Sequence, residues 1–116
     1  MPRIHVCSLA LVPETVAASG ASHLVTLVDA ALRAYQAAGI PDDVARQLAQ
    51  PLATETLANA FRLGPAGALS GPLARGDLAT VARQQRAVEQ WDAEAGQLYQ
   101  DLVAPTADLA RRKRLQ

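Results

Sequence analysis

The chain has 116 residues, of which half are hydrophobic and only 3% aromatic, and its 11 basic and 11 acidic side chains cancel. This length fits one domain, and an alanine- and leucine-rich composition favours packed helices over a β-sandwich. The balanced charge excludes a global field that attracts nucleic acid or membranes, and the single cysteine excludes an intrachain disulfide and a cysteine-based zinc site.

The first segment combines features of a strand and of a poor signal peptide. Residues 3–12 alternate partly between β-branched and polar side chains, which predicts a short β-strand or strand pair. Arg3 precedes the apolar run, but Pro13 and Glu14 end it early, so export is not expected. No stretch comes near the roughly 20 apolar residues of a membrane span. We therefore expect a cytoplasmic protein.

The next segment allows two interpretations. Pro13 suits the first position of a short helix, which Gly20 would stop. Residues 23–28 alone are typical of a buried strand because they are rich in β-branched side chains. Together with their continuation up to Gly39 they place apolar side chains at helical spacing, which favours a helix over residues 22–38 with a serine cap. The strand remains the alternative for residues 23–28.

A second long helix is predicted to begin at Asp42, whose carboxylate suits a helix N-terminus by capping and by charge. Pro51 lies inside this segment and is expected to kink or split it, because proline removes one backbone bond and clashes with the preceding turn. Gly64 is expected to close it.

The run LGPAGALSGPLARGDLATVARQ, residues 63–84, contains two Gly-Pro steps and an Arg-Gly-Asp triplet. Glycine-rich turns before a helix can cradle phosphate, and Arg75 would support this. However, Asp77 occupies the capping position, where its carboxylate would take the same N–H groups and repel an anion. No Walker or GxGxxG pattern is present. The run is therefore predicted to be a capped connector that leads into a helix beginning at Asp77.

The C-terminal part of the sequence is predicted to form one further helix that ends in basic residues. Asp92 is expected to cap this helix, and Pro105 is expected to bend or interrupt it. The basic residues at 111–114 complement the negative end of a helix, which we favour over a nucleic-acid arm. Trp91 and Tyr99 are expected to be packing anchors, with a partner-binding hot spot as the alternative.

Two histidines and the cysteine are the remaining candidates for chemistry. His5, Cys7 and His23 match no standard metal-site spacing, and we expect Cys7 to be a small buried hydrophobe and His23 a surface group. The sequence thus predicts no catalytic residue, no metal site and no cofactor. The residues predicted to serve in interactions are Arg75, Asp77, Trp91 and Tyr99.

The predicted fold is mainly α, a single helical-bundle domain of four to five helices with a possible short N-terminal β-strand or strand pair. Residues 1–21 form the N-terminal segment, residues 22–110 the helical domain and residues 111–116 a basic tail. The body up to residue 110 is mildly acidic, with seven basic and eleven acidic side chains.

Residues 22–109 resemble the helical C-terminal domain of unknown function that follows a Rossmann-like domain in proteins similar to pyrroline carboxylate and ketopantoate-type reductases. The most specific piece is the run GPAGALSGPLARGDLATV, residues 64–81. The resemblance implies an all-helical domain that pairs with a second copy of itself and forms one side of a dinucleotide-binding cleft.

The chain departs from that family in three respects. The nucleotide-binding half with its glycine-rich turn is not in this sequence. Gln84 stands where the resemblance implies a histidine after TVAR, and Glu14 stands near the place of another histidine. We therefore expect no nicotinamide cofactor and no hydride transfer from this chain alone.

Residues 1–29 resemble the opening strand–helix–strand of bacterial tyrosine-phosphatase-like proteins. The reactive loop of that family needs a cysteine with an arginine six positions later, whereas Pro13 stands six positions after Cys7. We therefore expect no phosphatase activity. Because the two resemblances overlap at residues 21–31, the sequence is similar to a chimera of two family fragments.

These observations predict a non-enzymatic protein-interaction or dimerisation module, with a homodimer or a protein partner and without nucleic acid or membrane. One alternative is a small antitoxin-like or inhibitor-like protein that neutralises a partner protein by binding. A second alternative is the helical subunit of a split NAD(P)-dependent reductase.

Overall fold

The fold is built from helices only, over the residues that the structure describes. A computed structural model describes residues 2–116, with side chains from residue 12 onward. Within this range there are six helices and no strand, which confirms the mainly α class. The helices are α1 (Pro2–Ala37), α2 (Asp42–Leu63), α3 (Pro65–Ala68), α4 (Pro72–Arg75), α5 (Leu78–Trp91) and α6 (Ala93–Arg114).

The predicted N-terminal β-strand or strand pair is wrong, because residues 3–12 belong to α1. The alternative strand at residues 23–28 is also wrong, since the same helix continues through it. An isolated strand leaves its backbone N–H and C=O groups without partners, whereas a helix satisfies them within its own segment. This local advantage outweighs the weak strand preference of β-branched side chains.

The helix that was predicted to begin at Ser22 instead includes everything from Pro2 onward. Ser22 is not a cap: its backbone carbonyl accepts a bond from Thr26 Oγ1 at 3.3 Å inside α1. Pro13 and Gly20, predicted to open and stop a short helix, both lie in the middle of α1. A glycine costs a helix only about 1 kcal/mol, and extending a formed helix is easier than nucleating a new one.

One segment of α1, Val12–Ala37, is long and apolar enough to cross a membrane, with a mean hydropathy of 1.3. This result differs from the expectation that no stretch approaches such a length. Core helices of soluble proteins and signal sequences share this length and composition. The cytoplasmic location therefore stays a prediction.

The turn after α1 is as predicted. Gly39 has a φ of 89°, in the left-handed region that glycine adopts without strain. Asp42 then starts α2, where its carboxylate accepts bonds from Arg46 Nε and Gln36 Nε2, both at 2.8 Å. The negative charge thus lies at the positive end of α2.

Pro51 was expected to kink or split its helix, and Pro105 was expected to bend or interrupt its helix. Pro51 lies inside the continuous helix α2, and Pro105 lies inside the continuous helix α6. Neither proline ends its helix. Each removes one backbone hydrogen bond, and the remaining bonds on both sides are enough to continue the helix.

The Gly-Pro run forms two single-turn helices, which raises the number of helices from the expected four or five to six. Gly64 and Gly71 have φ values of 79° and 94°, and the proline after each begins α3 or α4. Gly76 then ends α4 in a left-handed conformation with a φ of 72°. The run is therefore a connector between helices, as predicted.

The chain divides into two compact units, one ending at Gln50 and the other spanning Pro51–Gln116. The predicted boundaries after residues 21 and 110 both fall inside helices, and that division stays a prediction. In the second unit, α6 packs against α3, α4 and α5. Its buried side chains are small, namely Ala66, Ala95 and Ala110, with Gln85 as the buried polar side chain.

The contact between α5 and α6 is close because a glycine lies in it. A Cβ atom on Gly96 would lie 2.7 Å from Glu89 Cγ and 2.8 Å from Glu89 Cα. Beside it, Gln85 Nε2 donates to the carbonyl oxygen of Gly96 at 2.9 Å and to Glu89 Oε1 at 2.7 Å. Gln85 Oε1 is buried and has no hydrogen-bond partner among residues 12–116. This cluster fixes α5 and α6 as a helical hairpin.

Candidate functional site

A groove of about 250 Å³ lies beside the Gly-Pro run in the second unit. We call it the motif groove. Ser70 and the start of α4 contribute one side, and α5 and α6 contribute the rest. Its lining residues are Ser70, Pro72, Leu73, Val81, Gln84, Tyr99, Leu102, Val103 and Thr106. The four residues from α6 recur at positions i, i+3, i+4 and i+7, which places them on one face of that helix.

The polar centre of the motif groove is a pair of side chains. Tyr99 Oη donates a hydrogen bond to Gln84 Oε1 at 2.9 Å, and this bond joins α6 to α5. Gln84 occupies the position at which the resemblance implies a histidine. A glutamine amide can donate and accept hydrogen bonds, but it does not exchange a proton near neutral pH. The pair can therefore orient a bound group, and the amide of Gln84 cannot act as a general base.

Asp77 acts as the cap that the sequence predicts for α5. Its Oδ1 accepts from the backbone N–H of Thr80 at 3.2 Å, and its Oδ2 accepts from Thr80 Oγ1 at 2.7 Å. The side-chain bond, then the backbone bond, hold the pKa of the Asp77 carboxyl below its usual value. Both carboxylate oxygens are therefore used within the fold, which confirms the capped connector.

The other predicted interaction residues lie apart from one another. Arg75 ends α4 and lines a separate groove, whereas Tyr99 lies in the motif groove. Trp91 ends α5, is 37% exposed and does not line the motif groove. The structure thus does not gather Arg75, Trp91 and Tyr99 into one site, and their role in partner binding stays a prediction.

No group of three or more histidine, cysteine or acidic side chains that could hold a metal occurs among the described residues. The predictions for the side chains of His5 and Cys7 fall outside the side chains that the structure describes. His23 is exposed on α1, as the sequence predicts for a surface group.

A second candidate site is the exposed apolar part of α1. We call it the α1 apolar surface, and its residues are Val12, Val16, Leu24, Val25, Leu27 and Val28. At about 100° per residue these side chains spread over roughly 220° of the helix circumference. A surface helix of a soluble domain normally has a narrower apolar stripe, of about 100°. This surface therefore has more apolar width than one neighbouring helix would cover.

The sequence is similar to a known protein family. The family described as domain of unknown function DUF2520 matches residues 14–106, which is most of the chain. The chain belongs to the DUF2520 family. No curated protein and no solved structure matches it.

The DUF2520 match contains the whole motif groove and all of the α1 apolar surface except Val12. It confirms the resemblance to a helical domain of unknown function. It begins at Glu14, inside the segment that resembles the opening of tyrosine-phosphatase-like proteins. Neither that second resemblance nor the chimera-like interpretation is supported by the match.

Sequence reasoning did not predict two features of this DUF2520 chain. The buried Gln85 had a signal in the sequence, since it lies at helical spacing between Val81 and Val88 on the apolar side of α5. The width of the α1 apolar surface could not be predicted while the helix was thought to begin at Ser22. A helix that begins at Pro2 adds Val12 and Val16 to that surface.

Proposed function

We propose that the chain is a non-enzymatic helical module that pairs with a second copy of itself through the α1 apolar surface. The observation that supports this most directly is the exposure of that surface. Val16 and Val25 are 63% and 70% exposed on opposite sides of α1, so more than one helix of the second copy has to pack against α1 to cover both. Covering such side chains removes apolar area from water at about 25 cal/mol per Å².

A second copy is the partner that the chain's own properties favour. The formal net charge of the whole chain is zero, so two copies do not repel each other at long range. Identical chains also pair by a two-fold axis more often than by any other arrangement. The resemblance to reductase-type helical domains implies pairing with a second copy.

The two described carboxylates with shifted pKa values have structural roles. Asp77 caps α5, and Asp108 forms ion pairs with Arg111 and Arg112 on the same helix. The hydrogen bond from Arg111 is the main reason why the pKa of Asp108 lies below its usual value. Neither carboxylate has the raised pKa of a general acid.

Sedimentation velocity of the full chain and of the double variant Val16→Gln/Val25→Gln tests the pairing. Glutamine has a helix propensity at least as good as that of valine, so the double change removes apolar surface and preserves α1. The wild type is expected to be a dimer. The double variant is expected to have a dissociation constant higher by about tenfold or more, because two apolar side chains per copy are lost.

Leu115→Gln is the matched control, because Leu115 is 80% exposed and lies outside α1. It should leave the dimer unchanged. A wild type that stays monomeric at high concentration would contradict the proposal. A monomer that forms a complex only with a co-expressed toxic or nuclease protein would instead support the antitoxin-like alternative.

A second candidate function, the helical subunit of a split NAD(P)-dependent reductase, is favoured by the position of the motif groove. The groove adjoins the run GPAGALSGPLARGDLATV, which carries the reductase-type resemblance, and the Gln84–Tyr99 bond lies in it. A groove at this place could form one wall of a cleft whose other wall is a nucleotide-binding chain.

Reconstitution with a separately expressed Rossmann-type chain that contains GxGxxG tests this second candidate. NADPH should bind more tightly to the mixture than to the Rossmann-type chain alone, as measured by NADPH fluorescence. Tyr99→Phe should reduce that gain, because it removes the hydroxyl that bonds Gln84. Equal NADPH affinity with and without the helical chain would rule this role out.

A further inference from the structure

A second groove, of about 400 Å³, lies where α4 and the start of α5 meet the last turns of α6. We call it the arginine groove. Its lining residues are Leu73, Ala74, Arg75, Gly76, Leu78, Ala107, Ala110 and Arg114. Its volume lies within the range of small-molecule sites, which is about 300–1,000 Å³. None of its lining residues is acidic.

Arg114 differs from the three basic residues that precede it in α6. Arg111 and Arg112 both bond to the carboxylate of Asp108, and Lys113 Nζ donates to a backbone carbonyl of α3 at 2.8 Å. The side chain of Arg114 makes no hydrogen bond or ion pair with any of residues 12–116, and it lines the arginine groove. Its guanidinium donors are therefore available to a ligand.

Arg75 provides a second guanidinium on the same groove. Its side chain likewise makes no hydrogen bond or ion pair with any of residues 12–116. The charge of Arg75 helps to lower the pKa of Asp77, but both oxygens of that carboxylate already accept bonds from Thr80. The negative charge of Asp77 thus offsets part of the positive charge of Arg75, but it accepts no hydrogen bond from the Arg75 guanidinium.

The floor of the arginine groove is apolar. Leu73, Ala107 and Ala110 contribute to it, and Leu78 beside them is 69% exposed. An inorganic anion would pair with the arginines and leave this floor uncovered. A neutral apolar molecule would cover the floor and leave both guanidinium groups without a partner. A ligand with both a carboxylate and an apolar tail complements both parts of the groove.

We propose that the arginine groove binds a small amphipathic carboxylate, whose oxygens accept bonds from Arg75 and Arg114 and whose tail lies on Leu73 and Leu78. Guanidinium groups match carboxylates in shape as well as in charge, because two parallel N–H···O bonds can form. The tail adds an apolar contact that a free inorganic anion cannot make.

Titration of the full chain with decanoate below its micellar concentration, followed by amide ¹H–¹⁵N NMR, tests this site. The NMR readout separates the arginine groove from the α1 apolar surface, to which an amphiphile could also adhere. Saturable shifts are expected in two stretches, residues 73–78 and 107–114. Inorganic phosphate has only the charge, and 1-decanol has only the apolar tail. Each is expected to bind at these residues at least about tenfold more weakly than decanoate.

The double variant Arg75→Gln/Arg114→Gln should weaken decanoate binding about tenfold or more. Arg62→Gln/Arg86→Gln removes the same charge from residues outside the groove and should leave the binding unchanged. Circular dichroism establishes that both variants remain folded. Equal affinity of the two double variants for decanoate would overturn the proposal, as would shifts confined to α1.

Discussion

At the scale of single residues, Gly96 has the most closely defined role. It lies where α5 and α6 touch, and a Cβ atom at this position would overlap the backbone of Glu89. A neighbouring side chain can move away from a new methyl group, but the Cα atom of a packed helix cannot do so without moving the helix. The distance between the two helices therefore depends on the absence of a side chain at residue 96.

Gly96→Ala should destabilise the second unit by about 1–3 kcal/mol, which is the usual cost of overpacking. Urea unfolding followed by Trp91 fluorescence measures this, because Trp91 is the single tryptophan and lies at the end of α5. Gly20→Ala is the matched control: nothing lies within 4 Å of a Cβ atom at that helical glycine. It should leave the transition seen by Trp91 unchanged, because Gly20 lies in the unit that ends at Gln50. A Gly96→Ala protein as stable as wild type would show that the helices do not touch there.

Asp77 should make the second unit less stable in acid. Its pKa in the folded state is lowered below 3.8 by the two bonds from Thr80. A lowered pKa contributes stability above the unfolded pKa, and this contribution is lost as the pH falls through the folded value. Between about pH 5 and pH 3, wild type is therefore expected to lose more stability than Asp77→Asn, which can still cap the helix but cannot ionise.

Urea midpoints at several pH values, followed by Trp91 fluorescence, measure the effect of Asp77. Thr80→Val removes the hydroxyl donor and keeps the backbone donor, so its pH dependence should lie between those of wild type and Asp77→Asn. Identical acid sensitivity in wild type and Asp77→Asn would mean that the cap bond does not persist in solution.

At the scale of elements, local chemistry predicted the helix ends well. Gly39, Gly64, Asp77 and Asp92 all mark ends of helices, as the sequence predicts. Each signal has a cause that acts within four residues: a left-handed glycine or a carboxylate that accepts an N–H bond. Asp92, for example, accepts a bond from the backbone N–H of Glu94 at 3.1 Å.

Signals that oppose an existing helix were poor predictors by comparison. Pro13 was expected to open a helix and Gly20 to stop one, but both lie inside α1. The alternatives in which Pro51 splits its helix and Pro105 interrupts its helix are also wrong, because α2 and α6 are continuous. Their local cost is real, but it competes with the many backbone bonds of a helix of 22 residues or more. Whether a proline ends a helix therefore depends on the whole segment, which a local pattern does not contain.

Pro51→Ala should stabilise the protein, by up to about 3 kcal/mol, because it restores one backbone bond and removes the clash of the proline ring with the preceding turn. Thermal unfolding followed by circular dichroism measures the change. Pro65→Ala is the control, since Pro65 begins α3, where no intrahelical N–H bond is lost. A Pro51→Ala protein with an unchanged or lower melting temperature would show that the proline fits α2 without strain.

At the scale of the whole molecule, the composition and one motif were the features that predicted the fold class and the family. The alanine-rich, aromatic-poor composition predicted the α class, and the run at residues 64–81 indicated the helical family that the DUF2520 match confirms. The two grooves could not be predicted in the same way. They form where α4, α5 and α6 pack, and the small buried alanines that allow this packing resemble the exposed alanines of α1.

Pairing through α1 would link the stability of only part of the chain to protein concentration. A partner that binds the folded state alone raises its stability by mass action, by about 1.4 kcal/mol of dimer for each tenfold rise in concentration. Far-UV circular dichroism reports all six helices, whereas Trp91 reports the unit from Pro51 to Gln116. The transition seen by circular dichroism should therefore move to higher urea between about 1 and 100 µM protein, if pairing follows this mass-action law.

The transition seen by Trp91 fluorescence should stay in place over the same range, because the proposed interface lies on α1. Val16→Gln/Val25→Gln should abolish the concentration dependence of the circular dichroism signal, and Leu115→Gln should preserve it. If both transitions move to higher urea as the protein concentration rises, the interface lies in the second unit and not on α1. Phe61, which is 85% exposed on α2, is the apolar side chain that would then be tested. If neither transition depends on protein concentration, no association is coupled to folding. This result would contradict the proposal that α1 pairs with a second copy.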